Sequence, residues 1–276
     1  MLQSKSARQT ILLSCLVLLC PLANAQSYRI LITNDDGIQS PLLAVLKETL
    51  EALPGVEVMV SAPHENQSGS SNSSIGSPLT VDRIYVDDVL FGYAVHGKPA
   101  DAVTFGLNHL GVDQPFDLVV SGINMGPNVG SVSHGSGTVG AAMRAQFLGY
   151  PSIAISQETS GVDTVATAQF AARIVDKYRR DGAPEGIVLS INIPRGEIKG
   201  VRVSPMGDSY LGRDPYQVIS EEGNTTNYQA TRIRLQSQAP DTDTYSFQNG
   251  YITVTPLKFD WTAYAFIDEL KSWNLQ

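Results

Sequence analysis

Two adjacent carboxylates, Asp35 and Asp36, stand between Asn34 and Gly37, where the apolar run Tyr28 to Thr33 gives way to Ser40-Pro41. The run reads as a β-strand, and Ser followed by Pro is the pairing of a helix N-cap with the first helical position. The carboxylates therefore fall at the carboxyl end of a strand, where open α/β sheets bind their ligands. Two anionic side chains placed side by side repel, and a hard divalent cation is the common remedy. Capping of the helix and hydration of the loop is the other reading of the same four residues.

Further loops follow strands in the same way. After the second strand comes Ala62-Pro63-His64-Glu65-Asn66-Gln67-Ser68-Gly69-Ser70, and after Asp117 to Ser121 comes Gly122 to Gly130. The latter runs on to Ser136-Gly137-Thr138 at the start of a helix. A helix N-terminus offers unpaired N–H groups and partial positive charge, and glycine lets a phosphate approach the backbone. An ordinary Ser or Thr cap is the competing reading. Asn124 offers a carbonyl oxygen to a metal or forms an Asx-turn, and the Ser68 hydroxyl is equally ambiguous. Gly122, Gly126 and Gly130 give the loop positive φ but match no dinucleotide fingerprint. His134 is a candidate to contact phosphate or donate a proton to a leaving oxygen, against a plain solvated histidine. His96 and His109 read as structural or surface residues.

The elements that must position these groups alternate. Tyr28 to Thr33, Val56 to Ala62, Asp117 to Ser121, Ser152 to Ser156 and Ile187 to Ile191 read as strands. Leu42 to Leu53, Asp101 to Leu110 and Val139 to Leu148 read as helices, and Val162, Val165, Ala166, Ile174 and Tyr178 mark one face of another. Leu79 to Val95 reads as a hairpin excursion. The βαβ alternation predicts an α/β fold with a mainly parallel, helix-covered sheet. After Pro194 the pattern turns β-rich, and a final helix near Thr262 to Leu270 is expected to return the chain to the core.

The N-terminus has its own character. Lys5 and Arg8, the apolar Ile11 to Cys20 and the small-residue stretch Ala23-Asn24-Ala25 form a secretory signal, expected to be cleaved before Gln26. This predicts an exported protein, periplasmic or secreted. Both cysteines, Cys15 and Cys20, lie in that segment, so the mature chain has no disulfide or thiolate chemistry. The formal net charge of −8 and a pI of about 4.9 argue against nucleic-acid duplexes and anionic membranes as partners. A small anion remains compatible, because a bound metal inverts the local field.

Several motifs occur in order: Thr33-Asn34-Asp35-Asp36-Gly37, Ala62-Pro63 with Gln67-Ser68-Gly69, Ser121-Gly122-Ile123-Asn124 with Gly126-Pro127-Asn128, and Ser136-Gly137-Thr138-Val139. Gly97-Lys98-Pro99-Ala100-Asp101 and Gly250-Tyr251-Ile252-Thr253-Val254-Thr255-Pro256-Leu257 extend the series. The set resembles the SurE family, stationary-phase survival proteins that are metal-dependent nucleoside monophosphate phosphatases (5′/3′-nucleotidases). The resemblance implies one divalent metal, Mg²⁺ or Mn²⁺, on Asp35, Asp36, Ser68 and Asn124, with Asp35 and Asp36 catalytic. It implies phosphate bound by Ser136, Gly137 and Thr138, and a Rossmann-like three-layer core. Residues 26–276 would be one domain, with 196–250 a β-rich extension used in homodimer or homotetramer assembly.

The chain departs from the family pattern in places. Ser131-Val132-Ser133-His134-Gly135 stands where many relatives carry D-D-V-I-Y, His64 replaces a frequent acidic residue, and Thr262-Ala263-Tyr264 replaces T-A-H. Two further readings therefore stay open. One is a broad acid phosphatase or exopolyphosphatase, the other a non-catalytic periplasmic nucleotide- or anion-binding protein.

Overall fold

Strand β1, Tyr28–Thr33, turns Ile30 and Ile32 into one apolar cluster and Leu31 into the opposite one. Strand β5, Leu118–Met125, repeats this, with Leu118 and Val120 on one side and Val119 on the other. Side chains alternate along a strand, so one that is apolar at every position needs cover on both faces. Helices α1 (Pro41–Glu51) and α4 (Thr164–Asp181) supply it on the first face. Helices α2 (Pro99–Phe105) and α3 (Gly137–Phe147) supply it on the second. The computed structural model describes residues 27–275, so the segment read as a signal lies outside the described residues.

The other parallel strands are β2 (Val56–Pro63), β4 (Val89–Val95), β6 (Ser152–Gln157) and β7 (Val188–Ile193). Strand β3 (Val81–Val86) forms an antiparallel hairpin with β4, turned by Asp87 and Asp88 at positive φ. Beyond β7 come β8 (Val201–Val203), β9 (Leu211–Arg213), β10 (Gln217–Glu222), β11 (Thr225–Gln229), β12 (Arg232–Arg234), α5 (Asp243–Gln248), β13 (Ile252–Leu257) and α6 (Ile267–Lys271). The main sheet runs β3-β4-β2-β1-β5-β6-β7-β13-β8. The chain leaves β1 toward β2 and later returns to β1's other side as β5. This makes the carboxyl ends of β1 and β5 the topological switch point.

Two expectations need correction. The chain returns to the core through β13, which pairs antiparallel with β7, whereas α6 buries no residue. The apolar residues before and within α6 misled the reading: Trp261 is 77% exposed and Leu270 47%. The buried face of α4 is Ala168, Phe170, Ala171, Ala172, Val175 and Tyr178, while Val165 is exposed. Alanines packed against the sheet carry that face, and their hydropathy signal is weak.

The polar loop after β2 is anchored by Asp101, buried in the first turn of α2. Its carboxylate accepts from the N–H groups of Ile75 (3.0 Å), Gly76 (3.3 Å) and Lys98 (2.8 Å), and from the Ser74 hydroxyl. Burial alone would push its pKa up, but these donors outweigh burial and hold it below the ordinary 3.8. A depressed carboxyl pKa gives stability that is present above the unfolded value and lost as pH falls through the folded one. Asp101→Ala removes the shared acceptor of four part-buried donors, so a loss of about 1–3 kcal/mol is expected near neutral pH. Urea denaturation beside the exposed control Asp113→Ala, expected within about 0.5 kcal/mol of wild type, checks it.

Candidate active site

Asn34 shapes the turn after β1. It is fully buried, its Nδ2 donates to Gly37 O (2.9 Å), and its Oδ1 accepts from Gly37 N (3.2 Å). The turn presents the next two carboxylates to different neighbours. Asp35, 3% exposed, accepts the Thr138 hydroxyl at 2.5 Å from the first turn of α3. Asp36 accepts Met125 N at 3.2 Å from the end of β5, and Asn66 Nδ2 at 3.3 Å. The Asp35 carbonyl also holds Gln67 N at 2.7 Å, which ties the loop bearing Ser68 to this turn. Gly137 has no alternative: a Cβ there would lie 2.7 Å from Asp35 Cβ and 2.8 Å from Ser70 Oγ.

Burial pushes the Asp35 pKa up to about 6; the Thr138 hydroxyl opposes that and the Asp36 charge adds to it. Burial also raises Asp36, partly offset by the Met125 N–H. Among the described residues, no Lys, Arg or His forms an ion pair with either. A desolvated carboxylate pair without a basic partner calls for a cation. The oxygen-only donor set of Asp35, Asp36, Ser68 and Asn124 fits a hard one such as Mg²⁺ or Mn²⁺.

Asp35, Ser68, Asn124 and Ser136 line one cleft of about 540 Å³. Asn124 reaches it because β5 carries an extra residue against β6 between Ser121 and Asn124, a bulge of the kind that re-aims a side chain. Gly122 sits in that bulge at φ +138, where a Cβ would lie 2.4 Å from Ile155 O. The Asn124 Nδ2 donates to Gly126 O at 2.5 Å, which assigns Oδ1 as its remaining acceptor. Ser136 caps α3, its hydroxyl accepting from Val139 N at 3.1 Å. Thr138 is fully buried, and its hydroxyl faces Asp35 rather than the cleft. His134 lines a neighbouring cavity of about 800 Å³, edge-on to Trp261 at 5.7 Å. It is absent from the Asp35 cleft lining.

Sequence reasoning missed the far wall of the cleft. Tyr210, Leu211, Gly212 and Arg213, with Arg232, line it from the β-rich extension. Arg213 and Arg232 lie directly opposite one another in the β9–β12 pair, and no carboxylate forms a salt bridge with either among the described residues. Like charges in facing positions are unfavourable unless an anion lies between them. The wall is fixed by Arg234, which donates to buried Glu158 at 2.9 and 3.0 Å, and by the Tyr210 hydroxyl, which donates to Pro127 O at 3.1 Å. Burial would raise the Glu158 pKa, but the Arg234 contact outweighs it and holds the carboxyl low. A short "Leu-Gly-Arg" in a polar extension carries no local signal of this placement.

The raised Asp35 pKa has a testable sign. The folded state holds this proton more tightly than the unfolded chain, whose value is near 3.8. The associated stability is full below that value and is lost as pH rises through about 6. Asp35→Asn keeps an oxygen acceptor for Thr138 and removes the charge. In EDTA at neutral pH the variant is expected to be more stable than wild type by about 1–3 kcal/mol, with the gain vanishing near pH 4. Urea titrations at both pH values check this.

The family model for the survival protein SurE matches residues 30–213. The 5′-nucleotidase SurE of Rhodopirellula baltica is 38% identical over 254 residues, covering 90% of this chain and 99% of its own. The 5′/3′-nucleotidase SurE of Proteus mirabilis is 37% identical over 250 residues, covering 89% and 95%. The crystal structure of the SurE protein from Aquifex aeolicus superposes with a TM-score of 0.76 at 34% identity, covering 89% of this chain and 99% of that one. With a fold that places the ordered motifs around one cleft and relatives that match it nearly end to end, the chain belongs to the SurE family.

Proposed function

We propose that the chain is a metal-dependent phosphomonoesterase that hydrolyses nucleoside monophosphates to nucleoside and phosphate. As a SurE-family member it is a hydrolase of phosphoric monoesters; the metal and the nucleotide are our reading. The observation that carries it is the desolvated Asp35–Asp36 pair, which has no basic partner among the described residues, beside a cleft walled by Arg213 and Arg232, which form no salt bridge among those residues. Asp35, Asp36, Ser68 and Asn124 would hold Mg²⁺ or Mn²⁺. Such an ion supplies neutralisation of phosphate charge and orientation of the reacting oxygens.

The chain's own groups supply the rest. Thr138 holds Asp35 in one orientation and favours its ionised form. The N-terminus of α3 lies against that carboxylate and adds fixed positive potential where phosphoryl charge redistributes. Arg213 and Arg232 attract the anionic substrate from the opposite wall, with guanidinium forks suited to phosphate oxygens. The same pair favours a second reading, a broad phosphatase acting also on short polyphosphate, because two guanidiniums opposite the metal ligands suit a chain of phosphates. The exposed β10–β11 hairpin and the exposed apolar residues from Trp261 to Leu275 support a homodimer or homotetramer. The N-terminal segment supports export to the periplasm or beyond.

Phosphate release from nucleoside monophosphates, p-nitrophenyl phosphate and short polyphosphate, each with EDTA, Mg²⁺ and Mn²⁺, tests the reading. Release is expected only with metal, and Asp36→Ala is expected to lower it about 100-fold or more through lost charge stabilisation. Arg213→Ala and Arg232→Ala are each expected to raise KM about 10-fold with little change in kcat. A larger effect on polyphosphate than on nucleotides would select the second reading. Release in EDTA, or full activity in Asp36→Ala, would overturn the proposal.

A further inference from the structure

The carboxyl ends of β2 and β4, beside β1 in the sheet, carry a cluster that the proposed chemistry does not use. His64 follows β2, His96 follows β4, and Asp82 lies on β3. The fold brings them together by register. Pro63 pairs with Val95 in the parallel β2–β4 ladder, so His64 and His96 emerge side by side, and His64 N donates to Val95 O at 2.8 Å. Asp82 pairs with Ala94, two residues before His96, so Asp82 and His96 share one face as diagonal neighbours. The two imidazoles stack with centroids 4.2 Å apart and planes 21° from parallel. His96 Nε2 meets Asp82 Oδ2 at 2.7 Å, and one ligand atom from each of the three residues lies within 4.8 Å of the others.

We propose that His64, Asp82 and His96 form a second divalent-cation site, suited to Zn²⁺ or Co²⁺. Two imidazoles and a carboxylate are the donor set of borderline transition metals, whereas Mg²⁺ takes oxygen ligands. The chemistry is thus distinct from that of the Asp35 cleft, and none of the three residues lines that cleft. In a tetrahedral zinc site, ligand distances of about 2.0–2.2 Å place the ligand atoms about 3.3–3.5 Å apart. All three side chains are exposed, so closing from 4.8 Å needs only a rotation of a solvated ring. Water would fill the open coordination position. Without a metal, the cluster amounts to one exposed imidazole–carboxylate hydrogen bond, which contributes little. With one, the root of the loop that carries Ser68 is tied to the β3–β4 hairpin.

The test isolates this site in the folded chain of residues 26–276, which contains no cysteine, by removing the other. Asp35→Asn/Asp36→Asn protein, stripped of metal, is dialysed against Zn²⁺ and titrated with Co²⁺ while visible absorption is followed. The expected result is one equivalent of Zn²⁺ and ligand-field bands from bound Co²⁺. Adding His64→Ala or His96→Ala to that background is expected to weaken Zn²⁺ binding about tenfold or more and to remove the bands. In the otherwise wild-type chain, either substitution is expected to lose one of two equivalents, which keeps the result independent of how the double variant folds. Zn²⁺ is also expected to raise the melting temperature of the background protein and not that of its His64→Ala derivative. No Zn²⁺ binding in the background, or a smaller loss in either histidine variant, overturns the proposal and leaves an exposed imidazole–carboxylate hydrogen bond beside a stacked ring. The inference does not depend on what the Asp35 cleft hydrolyses.

Discussion

The burial of Asp35 beside Asp36, with no cationic side chain among the described residues paired to either, is the constraint around which the cleft is arranged. A desolvated carboxylate opposes folding unless it is protonated, hydrogen-bonded or matched by a positive charge. The chain supplies only part of the answer. Thr138 donates to Asp35, Met125 N and Asn66 donate to Asp36, and Gly137 lets the start of α3 press against Asp35. The carboxyl pKa of Asp35 still stands at about 6. Burial therefore leaves Asp35 short of compensation in its ionised form, and the cation proposed above would supply what the chain's own donors do not.

The second layer of organisation is mechanical. Segments far apart in sequence converge on the cleft, and three of their anchors are buried carboxylates rather than apolar packing alone. Asp101 gathers the donors of the polar loop. Glu158 anchors Arg234 and with it the β9–β12 wall. Asp243, 2% exposed, accepts from Gly130 N at 3.0 Å and Gly207 N at 2.8 Å, joining the Asn124 loop to the extension. Buried carboxylates saturated with backbone donors specify one loop conformation, because any alternative strands several donors together. The β-rich extension is thereby part of the cleft as well as a candidate assembly surface.

The core and one half of the site were legible in the sequence because they rest on local rules. Short continuous apolar runs mark β1 and β5, Ser136 caps α3, and the Asp35-Asp36 pair sits directly after a strand. What was not legible depends on contacts between distant residues. The Thr138 side chain turns into Asp35, 103 positions away in the chain, a contact that no local pattern around Ser136-Gly137-Thr138 signals. Arg213 and Arg232 reach the cleft only through the pairing of two three-residue strands with no pattern of their own. The exposed apolar C-terminal segment reads as core by composition, yet β13 holds that position. Hydropathy records what a residue prefers and not whether this chain buries it alone.

The most direct test of the central claim is a crystal structure of residues 26–276 grown with Mn²⁺, with anomalous difference maps collected near the manganese edge. The account predicts a peak at the carboxyl end of β1, with oxygens of Asp35 and Asp36 within about 2.1–2.4 Å and Asn124 Oδ1 directed at it. A map with no peak there at saturating Mn²⁺, or a basic side chain or ordered water replacing the ion between the two carboxylates, would contradict it.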